Sequence, residues 1–166
     1  MAGPIYRYLG QDHEKLNAAL QRILRDPTQL DRSAYSEFRK GLLRHISMEE
    51  KILFPAARAA KGGKPLASTA KLHLDHAALA ALLVPTPTPA IIAAICTVLD
   101  QHNPLEEGPD GVYEQCEELF QSEVDDILLR LQNAPAVAVA DHVDNFTSME
   151  SARTALRRAG YNIELS

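Results

Sequence analysis

The chain has 166 residues, which is long enough for one domain with a substantial core and does not by itself require a second. Its formal charge is −5 and its Lys and Arg residues are scattered, which argues against a surface that follows a nucleic-acid backbone. Its two cysteines are too few for a disulfide framework, and no stretch approaches the roughly 20 apolar residues that span a bilayer, so we expect a cytoplasmic protein without a membrane partner.

Turns rich in Pro and Gly divide the chain into helical segments. Residues 4–25 carry apolar side chains at steps of three and four, which predicts a first amphipathic helix. The same rhythm predicts helices over about 32–60, 66–84 and 89–107. Four long helices joined by short turns are typical of an all-α fold, and we expect an up-and-down antiparallel four-helix bundle.

Two more helices are predicted after these four. Residues 111–132 form an amphipathic pattern, and we expect this fifth helix to cover one end or side of the bundle. Further on, Thr147–Glu150 has the pattern of a capping box, which predicts a short helix over about 148–159. We therefore divide the chain into a bundle domain, residues 1–133, and a C-terminal tail with one docked helix, residues 134–166.

Five of the six histidines and two glutamates lie on the apolar seams of the four long helices. These candidate donors are His13 in the first helix, His45 and Glu49 in the second, His73 and His76 in the third, and His102 and Glu106 in the fourth. A histidine and a glutamate four residues apart share one helix face, as in HISMEE and HNPLEE. Burying these groups unpaired would cost several kcal/mol for each. A network of His–Glu hydrogen bonds is one way to compensate that cost, but bound metal also explains why the donors share one level.

The height of each candidate in the bundle can be compared by counting residues from the turns at 1.5 Å per residue. This count pairs candidates on consecutive helices: His13 with His45, Glu49 with His76, and His73 with His102. The donors of all four helices are therefore predicted to meet in the interior.

The kind of metal is narrowed by the donor types. Carboxylates among imidazoles, without thiolates, suit iron, manganese or zinc. Seven donors exceed what one ion needs, so we expect two ions with Glu49 and Glu106 between them. The neighbouring Glu50 and Glu107 are expected to face solvent or to accept hydrogen bonds from ligand imidazoles. Tyr8 and Tyr113 could point a hydroxyl toward the centre, but their helical spacing is more typical of core residues.

In this order, the motifs resemble those of the hemerythrin-like, or HHE cation-binding, superfamily. The resemblance covers about residues 4–132 and rests on DHE (12–14), HISMEEKILFP (45–55), HLDHAAL (73–79) and HNPLEEGPDGVYEQCEE (102–118). It implies a helical bundle with a non-haem di-iron centre whose ligands are His13, His45, Glu49, His76, His102 and Glu106, the glutamates acting as bridges. If His73 also binds, the five histidines divide three and two, which leaves an open position on one iron.

The expected function is to bind or sense a small ligand, which is oxygen, nitric oxide or peroxide. This donor set in a largely apolar bundle favours such a protein over an enzyme with an organic substrate. Two alternatives stay open at this point. One is an iron- or nitric-oxide-handling enzyme that resembles the iron–sulfur repair branch of the family. The other is an interaction module in which metal, zinc for example, is only a structural clamp. The sequence does not indicate an oligomeric state.

Overall fold

A computed structural model describes residues 2–166 of the chain, and these residues contain helices and no strands. The helices are α1 (Pro4–Leu24), α2 (Arg32–Met48), α3 (Phe54–Ala60), α4 (Thr69–Leu82), α5 (Pro89–Glu107), α6 (Val112–Phe120), α7 (Val124–Gln132) and α8 (Phe146–Arg158). A π-helical turn, Glu49–Leu53, joins α2 to α3, and a 3-10 turn, Gln121–Glu123, joins α6 to α7. The all-α prediction is confirmed. Within residues 2–166, no helix combines the length and apolar character needed to cross a membrane.

Side-chain caps set the beginnings of several helices. The Asp31 carboxylate and the Thr88 hydroxyl each accept a hydrogen bond from the amide three residues later, which begins α2 and α5. At the start of α8, Asn145 and Ser148 cap each other's backbone amides. The capping box is therefore formed by this pair, two residues before the predicted Thr147–Glu150 pair.

The second predicted helix, residues 32–60, changes its winding in the middle. Its π-helical turn, Glu49–Leu53, contains one residue more per turn than an α-helix. In this turn Glu49 is fully buried, while Glu50 reaches across to α4 and places Oε1 2.7 Å from Nδ1 of His76. Both adjacent glutamates thus interact with residues of the bundle interior.

The fifth predicted helix, residues 111–132, is divided in two. Gln121, directly after α6, has a φ angle of +48°, which a continuous α-helix does not allow. The chain then resumes as α7, which buries Ile127 and Leu131. Both short helices pack against α1.

Two apolar clusters form the core, and the candidate donors lie between them. The first cluster includes Phe38, Leu79 and Ile95, and the second includes Leu9 and Leu53. In α1 and α4, residues of one cluster precede the donor and residues of the other follow it. After the donors of α2 and α5, the second cluster continues in the next elements, with Leu53 and Val112. The metal-binding candidates therefore form a polar layer across the bundle.

The residues beyond 133 contribute to this core. α8 packs against α4, and Ala152 and Leu156 on its inner face are buried. Tyr161 and Leu165, which follow α8, are also buried in the first cluster. The segment that we predicted to be a tail therefore shares a hydrophobic core with the bundle.

Candidate metal centre

Six of the seven candidate donors meet in the polar layer. Five of them are fully buried, and the side chain of the sixth, His13, is 10% exposed. They form two groups within which the ligand atoms lie no more than 4.8 Å apart: Glu49, His76, His102 and Glu106 in one, and His13, His45 and Glu106 in the other. Because Glu106 belongs to both groups, the two form one continuous site.

Both buried carboxylates face both histidine pairs. Glu49 places Oε2 3.0 Å from Nε2 of His76 and Oε1 3.4 Å from Nε2 of His45. Glu106 repeats this arrangement with the remaining histidines. Its Oε1 lies 2.8 Å from Nε2 of His102, and its Oε2 lies 3.2 Å from Nε2 of His13. A carboxylate with one oxygen toward each of two donor pairs has the arrangement expected of a bridge between two metal ions.

A second carboxylate orients each of the four histidines from the side that faces away from the centre. These pairs are His13 with Glu107, His45 with Asp12 at 2.7 Å, His76 with Glu50 at 2.7 Å, and His102 with Asp75 at 3.2 Å. In every pair the carboxylate contacts Nδ1, which must then carry the proton. In the neutral form of each ring, the Nε2 lone pair is then available to a metal ion.

The four orienting acids follow a cyclic pattern. Each is a sequence neighbour of one donor but contacts the histidine of the next helix, so the contacts run from α1 to α2, on to α4 and α5, and back to α1. The expectation that Glu50 and Glu107 accept hydrogen bonds from imidazoles agrees with this geometry. Sequence reasoning missed Asp12 and Asp75, although each directly precedes a candidate histidine.

His73 lies outside this arrangement. Its side chain is 71% exposed, and its Nδ1 lies 3.0 Å from the Glu50 carboxylate. The structure places His76, not His73, beside His102, with ring centroids 4.8 Å apart. Side chains three residues apart differ by roughly 60° around a helix, which is enough to turn one inward and the other toward solvent.

Burial and ion pairing both act on the protonation of the site. Burial disfavours the imidazolium of His45, but the carboxylates of Glu49, Asp12 and Glu106 together outweigh burial, and the pKa of His45 rises to about 10. The same competition raises the pKa of His76 to about 11 and that of His102 to about 9. Burial and the charge of Glu106 favour the neutral form of Glu49, yet the adjacent imidazoles lower its pKa to about 2. Without metal, these residues form a network of imidazoliums and carboxylates.

The residues fit a bound cation. Glu49 Oε2, His76 Nε2 and Glu106 Oε1 are buried and lie at ion-pairing distance from neighbouring donors, but none of them makes a well-directed hydrogen bond within residues 2–166. All three atoms belong to the same four-residue group. An unsatisfied buried polar atom costs about 1–3 kcal/mol, and a cation bound to all three would remove that cost. Imidazole and carboxylate donors without thiolate suit iron, manganese or zinc.

A pocket of about 260 Å³ reaches the four converging histidines. Its walls include Leu20, Leu79 and Leu99, and the exposed residues Asn17 and Asp100 lie at its outer edge. One water molecule occupies about 30 Å³ in the liquid, so the pocket has room for a small ligand together with water. It connects the surface between α1 and α5 with the histidine side of the site.

The family match agrees with the fold and the site. Residues 5–108 match the family model of the hemerythrin HHE cation binding domain. This stretch contains α1, except for its first residue, α2 to α5, and all six converging donors. No curated protein and no solved structure shows a significant match to the chain. The match extends over more than half of the sequence, and the chain belongs to the hemerythrin HHE cation-binding domain family.

Proposed function

We propose that the protein binds two non-haem iron ions and uses them to bind or sense a small ligand, which is oxygen, nitric oxide or peroxide. The observation that carries this proposal is the pair of buried carboxylates, Glu49 and Glu106, each set between two histidine pairs. A single structural ion would need only one of these pairs. Manganese or zinc are alternative occupants of the same donors.

The proposed ligand set contains six residues. His76 and His102 would hold one ion, His13 and His45 the other, and Glu49 and Glu106 would bridge them. We leave His73 out because its imidazole lies at the surface. A ferrous pair in this site would supply electrons to a small oxidant and coordination positions that protein atoms do not fill.

The protein's own contribution is to hold the donors rigidly and to limit access. The four carboxylates at Nδ1 keep each Nε2 pointing inward, so little reorganisation is needed when metal binds. Apolar side chains such as Leu20 and Leu79 line the pocket and disfavour charged or bulky ligands. Small neutral molecules are the ligands that this passage admits most readily.

The experiment is to load the protein anaerobically with ferrous iron, measure the metal content, and record absorption spectra before and after adding oxygen, nitric oxide or peroxide. We expect two irons per chain and near-ultraviolet charge-transfer bands after oxidation that change with the added ligand. A protein that takes up no iron would contradict the proposal. Metal-dependent folding without any ligand-dependent spectrum would favour the structural clamp instead.

The pocket provides a second test. Leu99→Trp places a larger side chain in the pocket wall, and we expect it to slow nitric oxide binding severalfold while the iron content stays unchanged. Leu129→Trp is the matched control, because Leu129 is 55% exposed on α7, away from the pocket. Equal binding rates in both variants would show that ligands enter by another route.

A further inference from the structure

The buried hydroxyl of Tyr113, on α6, lies inside the half of the site formed by His13 and His45. Its oxygen is 2.6 Å from Glu49 Oε1 and 3.2 Å from Glu106 Oε2. It is also 3.3 Å from Nε2 of both histidines. Four donor atoms of the proposed centre thus surround this hydroxyl within hydrogen-bonding distance.

Without metal, protons link these atoms. The single proton of the Tyr113 hydroxyl is donated to Glu49, and the protonated His13 ring faces the Glu106 oxygen. The histidines add two more nitrogen atoms, which lie 2.9 Å from each other. Five potential ligand atoms therefore lie in one small volume, and a single cation there could bind all of them in place of the protons.

A tight turn brings Tyr113 to this position. A Cβ atom on Gly111 would lie 2.5 Å from the carbonyl oxygen of Glu106, and one on Gly108 would lie 2.4 Å from another carbonyl oxygen of α5. Glycine at these two positions therefore allows α6 to begin directly against the end of α5. The ring of Tyr6 packs edge-on against Tyr113, with centroids 5.9 Å apart. The side chain seven residues beyond Glu106 is thereby returned to the same site and held there.

We propose that Tyr113 is a metal ligand whose phenolate oxygen binds the ion held by His13 and His45. The inference rests on the proposed di-iron function, and binding in this form releases one proton to solvent. An anionic oxygen donor of this kind favours ferric iron over softer ions. Tyr113 lies beyond residues 5–108, the stretch that matches the family model.

The two ions then differ in their protein ligands. One has five donors, which are His13, His45, Glu49, Glu106 and Tyr113, and the other has four, which are His76, His102, Glu49 and Glu106. The ion with four protein donors has more positions available. The small ligand is therefore directed to the His76–His102 half.

The test is absorption and resonance Raman spectroscopy of the iron-loaded, oxidised protein. We expect a visible tyrosinate-to-iron charge-transfer band and enhanced tyrosine ring vibrations in the wild type. Tyr113→Phe should keep two irons and the near-ultraviolet bands but lose both tyrosinate signals. Tyr35→Phe is the matched control, because Tyr35 is 2% exposed and lies in the first apolar cluster. This control should retain the full visible spectrum.

The outcomes separate the two proposals. Two irons with a visible spectrum that Tyr113→Phe leaves unchanged would overturn the assignment of Tyr113 and leave the di-iron function standing. If Tyr113→Phe does not fold or load iron, wild-type protein labelled with ring-deuterated tyrosine decides: a shift of the enhanced vibrations supports the assignment, and no shift overturns it. A wild type that takes up no iron overturns both proposals.

Discussion

The two halves of the candidate metal centre share one plan but differ in their surroundings. Each consists of two histidines and one oxygen from each of the shared carboxylates, Glu49 and Glu106. In the His13–His45 half, the Tyr113 hydroxyl occupies the space between these donors. In the His76–His102 half, the buried atoms His76 Nε2, Glu49 Oε2 and Glu106 Oε1 make ion-pair contacts but no well-directed hydrogen bond within residues 2–166. The two similar motifs, HISMEE and HNPLEE, thus contribute to two unequal halves, because Tyr113, which belongs to neither motif, enters only one of them.

The two halves also differ in the carboxylates that contact the Nδ1 atoms of their histidines. Asp12, which orients His45, is 21% exposed, whereas Asp75, which orients His102, is fully buried. Asp75 also accepts hydrogen bonds from Lys71 Nζ at 2.7 Å and from the Tyr161 hydroxyl at 3.0 Å. Through Tyr161, the C-terminal segment therefore contacts the acid that orients a histidine of the His76–His102 half.

The largest expected effect comes from a residue that the halves share. Glu106→Gln removes a carboxylate from both groups, so we expect metal uptake to fall below one ion per chain. His13→Ala affects one half, and we expect it to retain about one ion, since the other half keeps its donors. Metal analysis after reconstitution checks both values, with the exposed Glu118→Gln as control. Full occupancy in Glu106→Gln would show that the halves do not depend on a common carboxylate.

The second prediction concerns pH, which should act on both halves alike. Folding raises the pKa of His45 from 6.5 to about 10 and that of His76 from 6.5 to about 11. Their contribution to stability is therefore fully present below pH 6.5 and is lost as the pH rises through those values. The depressed pKa of Glu49 acts in the opposite direction, because its contribution is present above pH 4.5 and is lost as the pH falls toward about 2.

Thermal unfolding of chelator-treated protein should accordingly show a falling Tm from about pH 6.5 upward. Iron-loaded protein should not show this fall, because metal binds the neutral imidazoles. A metal-free protein whose Tm is constant over this range would mean that the imidazolium–carboxylate network does not stabilise the fold.

A smaller effect is expected from the acids that orient the histidines. Asp75→Asn should weaken metal binding by roughly 10- to 100-fold, the range typical of such outer contacts. Asp12→Asn should have the smaller effect of the two, because water can replace part of its contact with His45. Competition with a chelator measures the metal affinity of both variants. If both variants lose the same metal affinity, the burial of the orienting acid does not determine its effect.

The smallest expected effect is that of Tyr161→Phe. Losing its hydrogen bond to Asp75 should lower the free energy of unfolding by about 1 kcal/mol. We also expect slightly weaker metal binding in the His76–His102 half only. Chemical denaturation and metal titration measure the two effects, and Tyr8→Phe, on the opposite side of the site, is the control. A larger loss in the His13–His45 half would contradict the proposed support.

Local patterns predicted most of the helices and the donors on them. The first helix was expected over 4–25 and runs Pro4–Leu24, and the fourth was expected over 89–107 and runs Pro89–Glu107. Apolar periodicity and Pro or Gly at the ends are local properties of the chain, so they can be read without knowledge of the fold. The break at Gln121 was missed, because a left-handed residue other than glycine has no comparable signal.

By itself, the sequence determined that this is an all-helical protein with histidines and carboxylates on the inner faces of four helices, because helical periodicity assigns each residue to a face. Only the tertiary structure decided that His76 and not His73 turns inward, that acids next to one donor orient the histidine of another helix, and that Tyr113 enters one half of the site. These choices depend on how the helices are rotated and on where a turn returns the chain. Both are set by packing among residues distant in sequence.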